Sequence, residues 1–336
     1  MNTLSRFAAI VLIIPVVGLT LAGCSKKLTG DVTTGAKLSF KINVDTWLGY
    51  APLYLAKEKG FFGNADVSID VSPDVAVRKT GIKSGNFQAI AETVDMLVLD
   101  RDEGVPTVAV SGMDFSNGAD GIVAVDAVKT LQDLKGKTVL VQKNYASEAL
   151  LNYLLEKNGI AFADVHTVDT EAGAAGAAFV AGKTDVAVTF EPWLSKAKDR
   201  GNGHILISSK DAPGVIVDIL SIQKDYLTAH PEVVRDVVNG WFKAVEYWRA
   251  HTEESNAIMA KYYSDTPAEF ADQISGIKWP TYEENVSYFT KGSTPSIYDT
   301  ANTFVEIYKK TGQTQNDFDL DPAIDGSILQ SLHASK

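Results

Sequence analysis

The sequence predicts an α/β protein built as two doubly wound lobes joined by two crossover segments. Three observations carry that prediction. Short alternating or apolar runs, polar loops and helical stretches follow one another from residue 38 to residue 207. That rhythm belongs to a mainly parallel sheet with helices on both faces. Two chain crossings, near residues 118–125 and 215–220, bracket a self-contained unit of about 90 residues by its strand signals. From residue 229 the pattern turns almost wholly helical. A first lobe made from 37–120 plus 216–336, and a second from 121–215, satisfies all three.

The elements follow in order. Leu38-Ser-Phe-Lys-Ile-Asn-Val44 alternates and reads as a strand. The stretch 46–63 is a loop and then a short helix. Pro52 suits the first turn, Lys57 and Lys59 suit the last, and Gly60 fits the left-handed position that ends it. Residues 67–71 are a strand and 74–83 a helix. Residues 87–91 are a strand, Glu92 and Thr93 its loop, and 94–100 a helix. A strand over 106–111 leads to 114–121, whose composition is that of a turn. Strands are then expected over 122–125, 138–142, 165–168, 185–190, 204–207 and 213–220. Helices are expected over 148–157, 174–181 and 194–198, the first with Leu150, Leu151, Leu154 and Leu155 on one face. The C-terminal helices are 231–251, 252–263, 267–277, 298–311 and 322–333, with an extended break over 279–281. Gly136-Lys-Thr138 is not a phosphate-binding loop: Leu131 stands where the motif needs glycine, and the strand follows instead of preceding it.

The totals exclude some classes. The chain has 336 residues, 45% hydrophobic and 22% charged, with a net charge of −11. A general nucleic-acid binder would need a basic face. The sole cysteine, Cys24, allows neither an intrachain disulfide nor a multi-cysteine metal site. It follows Arg6, an apolar run over 7–21 and Leu21-Ala-Gly, which resembles a bacterial lipoprotein signal. On that resemblance 1–24 is a signal peptide with Cys24 lipidated. The alternative is an uncleaved anchor helix. Residues 25–36 read as a flexible tether.

Trp47-Leu-Gly-Tyr-Ala-Pro-Leu-Tyr-Leu-Ala-Lys-Glu-Lys-Gly-Phe-Phe62 resembles the opening motif of solute-binding proteins of the nitrate/taurine/aliphatic-sulfonate class. The likeness runs from Leu38 to about Leu220. Asp114-Phe-Ser-Asn-Gly-Ala-Asp120 is similar to the family segment that enters the crossover, and Phe190-Glu-Pro-Trp193 to one at its cleft. The resemblance implies a periplasmic binding protein fold of type II, a hinge-closing cleft and delivery of a small solute to the permease of an ABC importer. It also implies an extracytoplasmic location, lipid-anchored to a membrane through Cys24, and a monomer without cofactor or metal.

Each candidate site residue carries two readings. Trp47 and Tyr50 either line the cleft or pack over the first sheet. Glu92 either reaches a ligand or starts the next helix. Asp114 and Ser116 either stand at the cleft rim or serve the turn. Tyr145 and Ser147 precede a helix whose first N–H groups suit an anion, and Ser147 is equally a cap. Glu191 either contacts ligand or caps; Pro192 after it suits a first helical turn. Asp218, alone in the apolar run Val215-Ile-Val-Asp-Ile-Leu220, needs either a backbone donor or a cationic ligand.

The ionisable groups at expected strand ends are mostly acids: Asp45, Glu92, Asp114, Glu171, Glu191 and Asp218, against chiefly Lys143. An anion site would present Arg or Lys forks. The excess points to a cationic or amino-rich metabolite, with an alkanesulfonate, taurine or nitrate as the alternative. The resemblance also reaches thiamine-pyrimidine synthases, whose cysteine-rich iron site this chain cannot supply. No nucleophile or His-Glu metal motif is present. The expectation is a binding protein and not an enzyme.

Overall fold

The computed structural model describes residues 37–317 and 319–333, so the signal and lipidation readings at Cys24 and the tether lie outside the described residues. The first run of elements is β1 (Leu38–Val44), α1 (Ala51–Glu58), β2 (Ala65–Val71), α2 (Val75–Lys83), β3 (Ala89–Thr93), α3 (Val94–Asp102) and β4 (Thr107–Ser116). The second is β5 (Asp120–Val125), β6 (Thr138–Val141), α4 (Ala146–Lys157), β7 (His166–Asp169), α5 (Ala172–Val180), β8 (Val186–Phe190), α6 (Trp193–Lys196) and β9 (Gly203–Ser208). The third is β10 (Val217–Gln223), α7 (Lys224–Ala229), α8 (Pro231–Ala250), α9 (Thr252–Tyr263), α10 (Pro267–Gln273), β11 (Ile277–Lys278), α11 (Tyr282–Tyr288), α12 (Ile297–Thr311) and α13 (Ser327–His333).

Two sheets result. One has the order β11-β4-β10-β3-β1-β2 and the other β7-β6-β8-β5-β9. The chain leaves the first sheet after Ser116 and returns to it at Val217. Both sheets are mixed. β1, β2 and β3 run parallel, as do β6, β7 and β8. The strands that follow the crossings, β5 and β10, run antiparallel to both of their neighbours. A strand arriving from the other sheet has no preceding crossover helix to turn it parallel. The expectation of a mainly parallel sheet therefore holds for the strand–helix repeats and fails at the crossings.

Several boundaries move. Glu92 and Thr93 belong to β3 and are not its loop. β4 continues through Asp114 to Ser116, leaving a turn of 117–119 in which Gly118 has φ 121°. Two helices are additional to those expected. α11 begins at a capping box: Thr281 takes the Glu284 N–H and Glu284 takes the Thr281 N–H. α7 is six residues long and polar, too short for a periodic signal.

The central strands are buried on both faces, so they read as continuous apolar runs. All of β5 and β8 is buried. α8 buries Val233, Val237, Trp241 and Val245 and packs mainly against α1, α13 and α9. α1 has Pro52 in its first turn and ends before Gly60 at φ 68°, as its sequence requires. The loops at the carboxyl ends of β1, β4 and β8 then face one another.

Candidate functional site

Asp45 leaves β1 as its hydrogen-bonding register ends. Its Oδ1 accepts the Trp47 backbone N–H at 2.8 Å, which turns the chain into the loop before α1. Its Oδ2 accepts Arg78 Nη1 at 3.2 Å and the Tyr145 hydroxyl. Arg78 is 1% exposed and also donates to the carbonyl of Ala91. The ion pair is thus wholly inside the protein.

The loop 47–50 delivers two aromatic donors. The Trp47 indole N–H lies 3.2 Å from each oxygen of Asp114. The Tyr50 hydroxyl donates to Asp218. Gly49 is required between them: a Cβ there would sit 2.1 Å from Asp114 Oδ2 and 2.2 Å from Trp47 Nε1. Asp114 on β4 stands directly across the antiparallel ladder from Asp218 on β10. Both are fully inside, and burial first holds each carboxyl well above the usual range. Asp120 and Asp45 push both the same way and Asp114 pushes Asp218 up, while hydrogen bonds from Trp47 and Asp218 oppose the shift at Asp114 and one from Tyr50 opposes it at Asp218. Two facing carboxyls raised in this way favour a shared proton over two charges.

Asp120 opens β5 from the other sheet. Burial pushes it up to about 7, opposed by a Ser116 hydrogen bond and reinforced by Asp45 and Glu191. Its Oδ2 has no hydrogen-bond partner. Burial and nearby carboxylates also keep the Tyr50 and Tyr145 phenols neutral, so both act as donors. Together these groups enclose a cavity of about 20 Å³ lined by Asp45, Trp47, Tyr50, Asp120, Tyr145 and Asp218, with Phe190 and Ile216 among its apolar walls. That is room for about one water-sized group.

Four of the expected site residues, Trp47, Tyr50, Tyr145 and Asp218, line this cavity, and Asp114 stands behind Trp47. The others are placed elsewhere. Ser116 bonds Ser209 Oγ at 2.8 Å between the two crossings. Ser147 is not a cap: Tyr145 holds that position, and the Ser147 hydroxyl donates to Gln142 O at 3.2 Å. Glu191 accepts the backbone N–H and the hydroxyl of Ser195 at 3.1 and 2.9 Å, and its peptide to Pro192 is cis. Pro192 is the N-cap of α6 and not part of its first turn. Glu92 lies inside among Asp100, Ser221 and Arg78, where burial and Asp100 hold it well above the usual range. Glu171 is occupied as the cap of α5.

Arg78 was legible only indirectly. It holds the middle position of Val75, Arg78 and Ile82, an inward helical stripe, so its charge had to meet a buried acid. Phe190, which opens the cleft-like segment Phe190-Glu-Pro-Trp193, lines the cavity as well; Thr93 and Met96 also line it and carry no distinguishing sequence signal.

This architecture is the periplasmic binding protein fold. The structure of the periplasmic aliphatic sulphonate binding protein of Escherichia coli matches with a TM-score of 0.69 at 18% identity, covering 87% of this chain and 99% of that one. The periplasmic nitrate-binding protein of Synechocystis matches at 0.73 and 14%, covering 88% of each. A desulfurization enzyme shares the fold at 0.61 and 13%, covering 89% of this chain and all of that one. In sequence, a Bacillus subtilis relative whose name assigns it to aliphatic sulfonates is 26% identical over 258 residues, 73% of this chain and 74% of its own. The NMT1/THI5 like family profile matches residues 47–255, and the chain belongs to that family.

Proposed function

We propose that this protein is the extracytoplasmic solute-binding component of an ABC importer and captures a small cationic or amino-rich metabolite. One observation carries the ligand reading. Asp45, Asp120 and Asp218 line a cavity with Asp114 behind its Trp47 wall, and among the described residues the guanidinium paired there, Arg78, is itself committed to Asp45. A buried carboxylate without a partner is costly. An ammonium head supplies the missing charge and N–H donors, and the cavity has the size of such a head. Trp47 and Tyr50 are held as walls by their own bonds to Asp114 and Asp218.

The relatives named for sulfonate and nitrate support the transport role and raise the anionic alternative. One feature favours it: Ala146, at the start of α4, lines the cavity, and helix starts attract anions. The three lining aspartates outweigh that single helix end. In this reading the chain works without chemistry of its own, meets a membrane permease, and is held to the membrane by lipid on Cys24.

Titration calorimetry at pH 6 and pH 8 tests the ligand. A cation should bind more tightly at pH 8 and release protons, because it needs the charged form of Asp120 and its neighbours. Strong binding of an alkanesulfonate or nitrate, with amines inert, overturns the cationic reading.

A further inference from the structure

We propose that the mouth of this cavity is a second subsite that takes a flat, N–H-bearing ring tethered to the cation. The captured solute is then an amine of the arylalkyl type and not a bare alkyl amine. This rests on the cationic reading above and extends it outward.

The inner cavity holds a water-sized group and no more. Next to it lies a larger cavity of about 370 Å³. Asp45 and Phe190 line both, so the two share a wall. In the proposed pose the ammonium sits among the aspartates and the rest of the molecule passes the Asp45–Phe190 wall into this outer space.

The outer space has aromatic walls from both sheets' elements. Tyr54 of α1 and Tyr263 of α9 form one side, their rings 6.0 Å apart and 89° to each other. Tyr262 backs Tyr54 in a stack at 4.2 Å and 21°. Trp193, which follows β8 and Pro192, forms the other side, with Lys196 Nζ 5.2 Å from its ring centre. Aromatic walls on two sides suit a planar group. Lys196 beside Trp193 and near Asp265 makes a second full cation the poorer occupant.

A separate observation fixes the polar character. Gln273 lines this space and is 8% exposed, and its Oε1 has no hydrogen-bond partner. Asp265 lines the same space, and its interaction with the Gln273 amide lowers the Asp265 carboxyl against burial, as N–H groups turned towards a carboxylate do. A buried amide oxygen left without a donor is disfavoured. A ring N–H would supply that donor.

The test is calorimetry on the full chain in detergent at pH 8 with two probes, ethylamine and tryptamine. Tryptamine should bind at least roughly tenfold more tightly than ethylamine. Trp193→Leu and Gln273→Leu should each shrink that ratio towards one. The ratio is measured within each variant, so a general loss of affinity does not mimic the effect. If one variant fails to fold, the other and the wild-type ratio decide. Ethylamine binding as tightly as tryptamine overturns the subsite alone, as does a ratio that neither substitution moves. If neither amine binds, the cationic reading fails and the subsite falls with it.

Discussion

Asp120 connects the electrostatics of single residues to what can be measured. Its folded-state value of about 7 lies above its ordinary 3.8. Between those values the folded chain keeps a proton that the unfolded chain has lost. Stability from this group is therefore fully present below its ordinary 3.8 and is lost as pH rises through about 7. Asp114 and Asp218 are shifted the same way and add to the fall. Thermal melts of the ligand-free protein should show a lower midpoint at pH 8 than at pH 5, and Asp120→Asn should flatten that slope. A midpoint that rises over this range would contradict the burial of these acids. The same substitution should weaken a cationic ligand, with a loss on the order of 2–5 kcal/mol for a buried charged partner, read by calorimetry. Arg78 behaves oppositely. Arg78→Met leaves Asp45 buried beside Tyr145 with no cation, and urea unfolding should show a loss of about 3–5 kcal/mol. At this scale the acids could be read from the sequence, because a carboxylate inside an apolar run or at a strand end is conspicuous. Which acids converge could not. Asp114 and Asp218 face each other only through an antiparallel register joining positions 104 residues apart, by 218 minus 114.

At the scale of elements, the loop between β1 and α1 makes the site. Its sequence gave away a capped helix with Pro52 and Gly60, and the structure keeps both. What spacing alone does not reveal is how it is pinned. The Trp47 carbonyl accepts the Tyr263 hydroxyl at 3.0 Å, and the Gly49 carbonyl accepts the Trp279 indole at 2.7 Å. Both donors come from the helical C-terminal part, beyond residue 255 where the family profile's match stops. Gly49→Ala tests the whole device. Its Cβ would displace the Trp47–Asp114 pair, so the variant should lose about 1–3 kcal/mol in urea unfolding. Near-UV circular dichroism should register the altered tryptophan environment. An alanine variant with wild-type stability and spectrum would show that the loop has slack that the packing does not suggest. The strand–helix repeats were legible because each satisfies its own periodicity. Short elements such as α7 and α11 were not, since their place is set by what they pack on, although the Thr281–Glu284 box marked one of them.

For the whole molecule, the question is how a solute reaches so small a cavity. Contacts between the elements of the two sheets close it on several sides. Tyr145 reaches Asp45, Gln142 Nε2 donates to Pro73 O at 3.3 Å, and the Trp47 and Phe190 rings meet edge-on at 5.9 Å. Lys310 pairs with Glu156 at 2.5 Å, and Gln313 donates to Glu148 at 3.0 Å. Apart from the Trp47–Phe190 contact each is polar, and the ligand-free chain is expected to open about its two crossings. Those crossings are themselves tied. Ser209 on the return path pairs with Ser116 and accepts the Gly118 N–H at 2.7 Å. The tie limits how far the two sheets can swing and keeps Asp120, just beyond Gly118, aimed at the cavity. Small-angle scattering should therefore show a smaller radius of gyration with bound solute than without. Ser209→Ala should widen the difference by letting the ligand-free form open further, and should weaken binding, because closure then costs more ordering. Identical scattering curves with and without a solute that calorimetry shows to be bound would rule out closure as the means of capture.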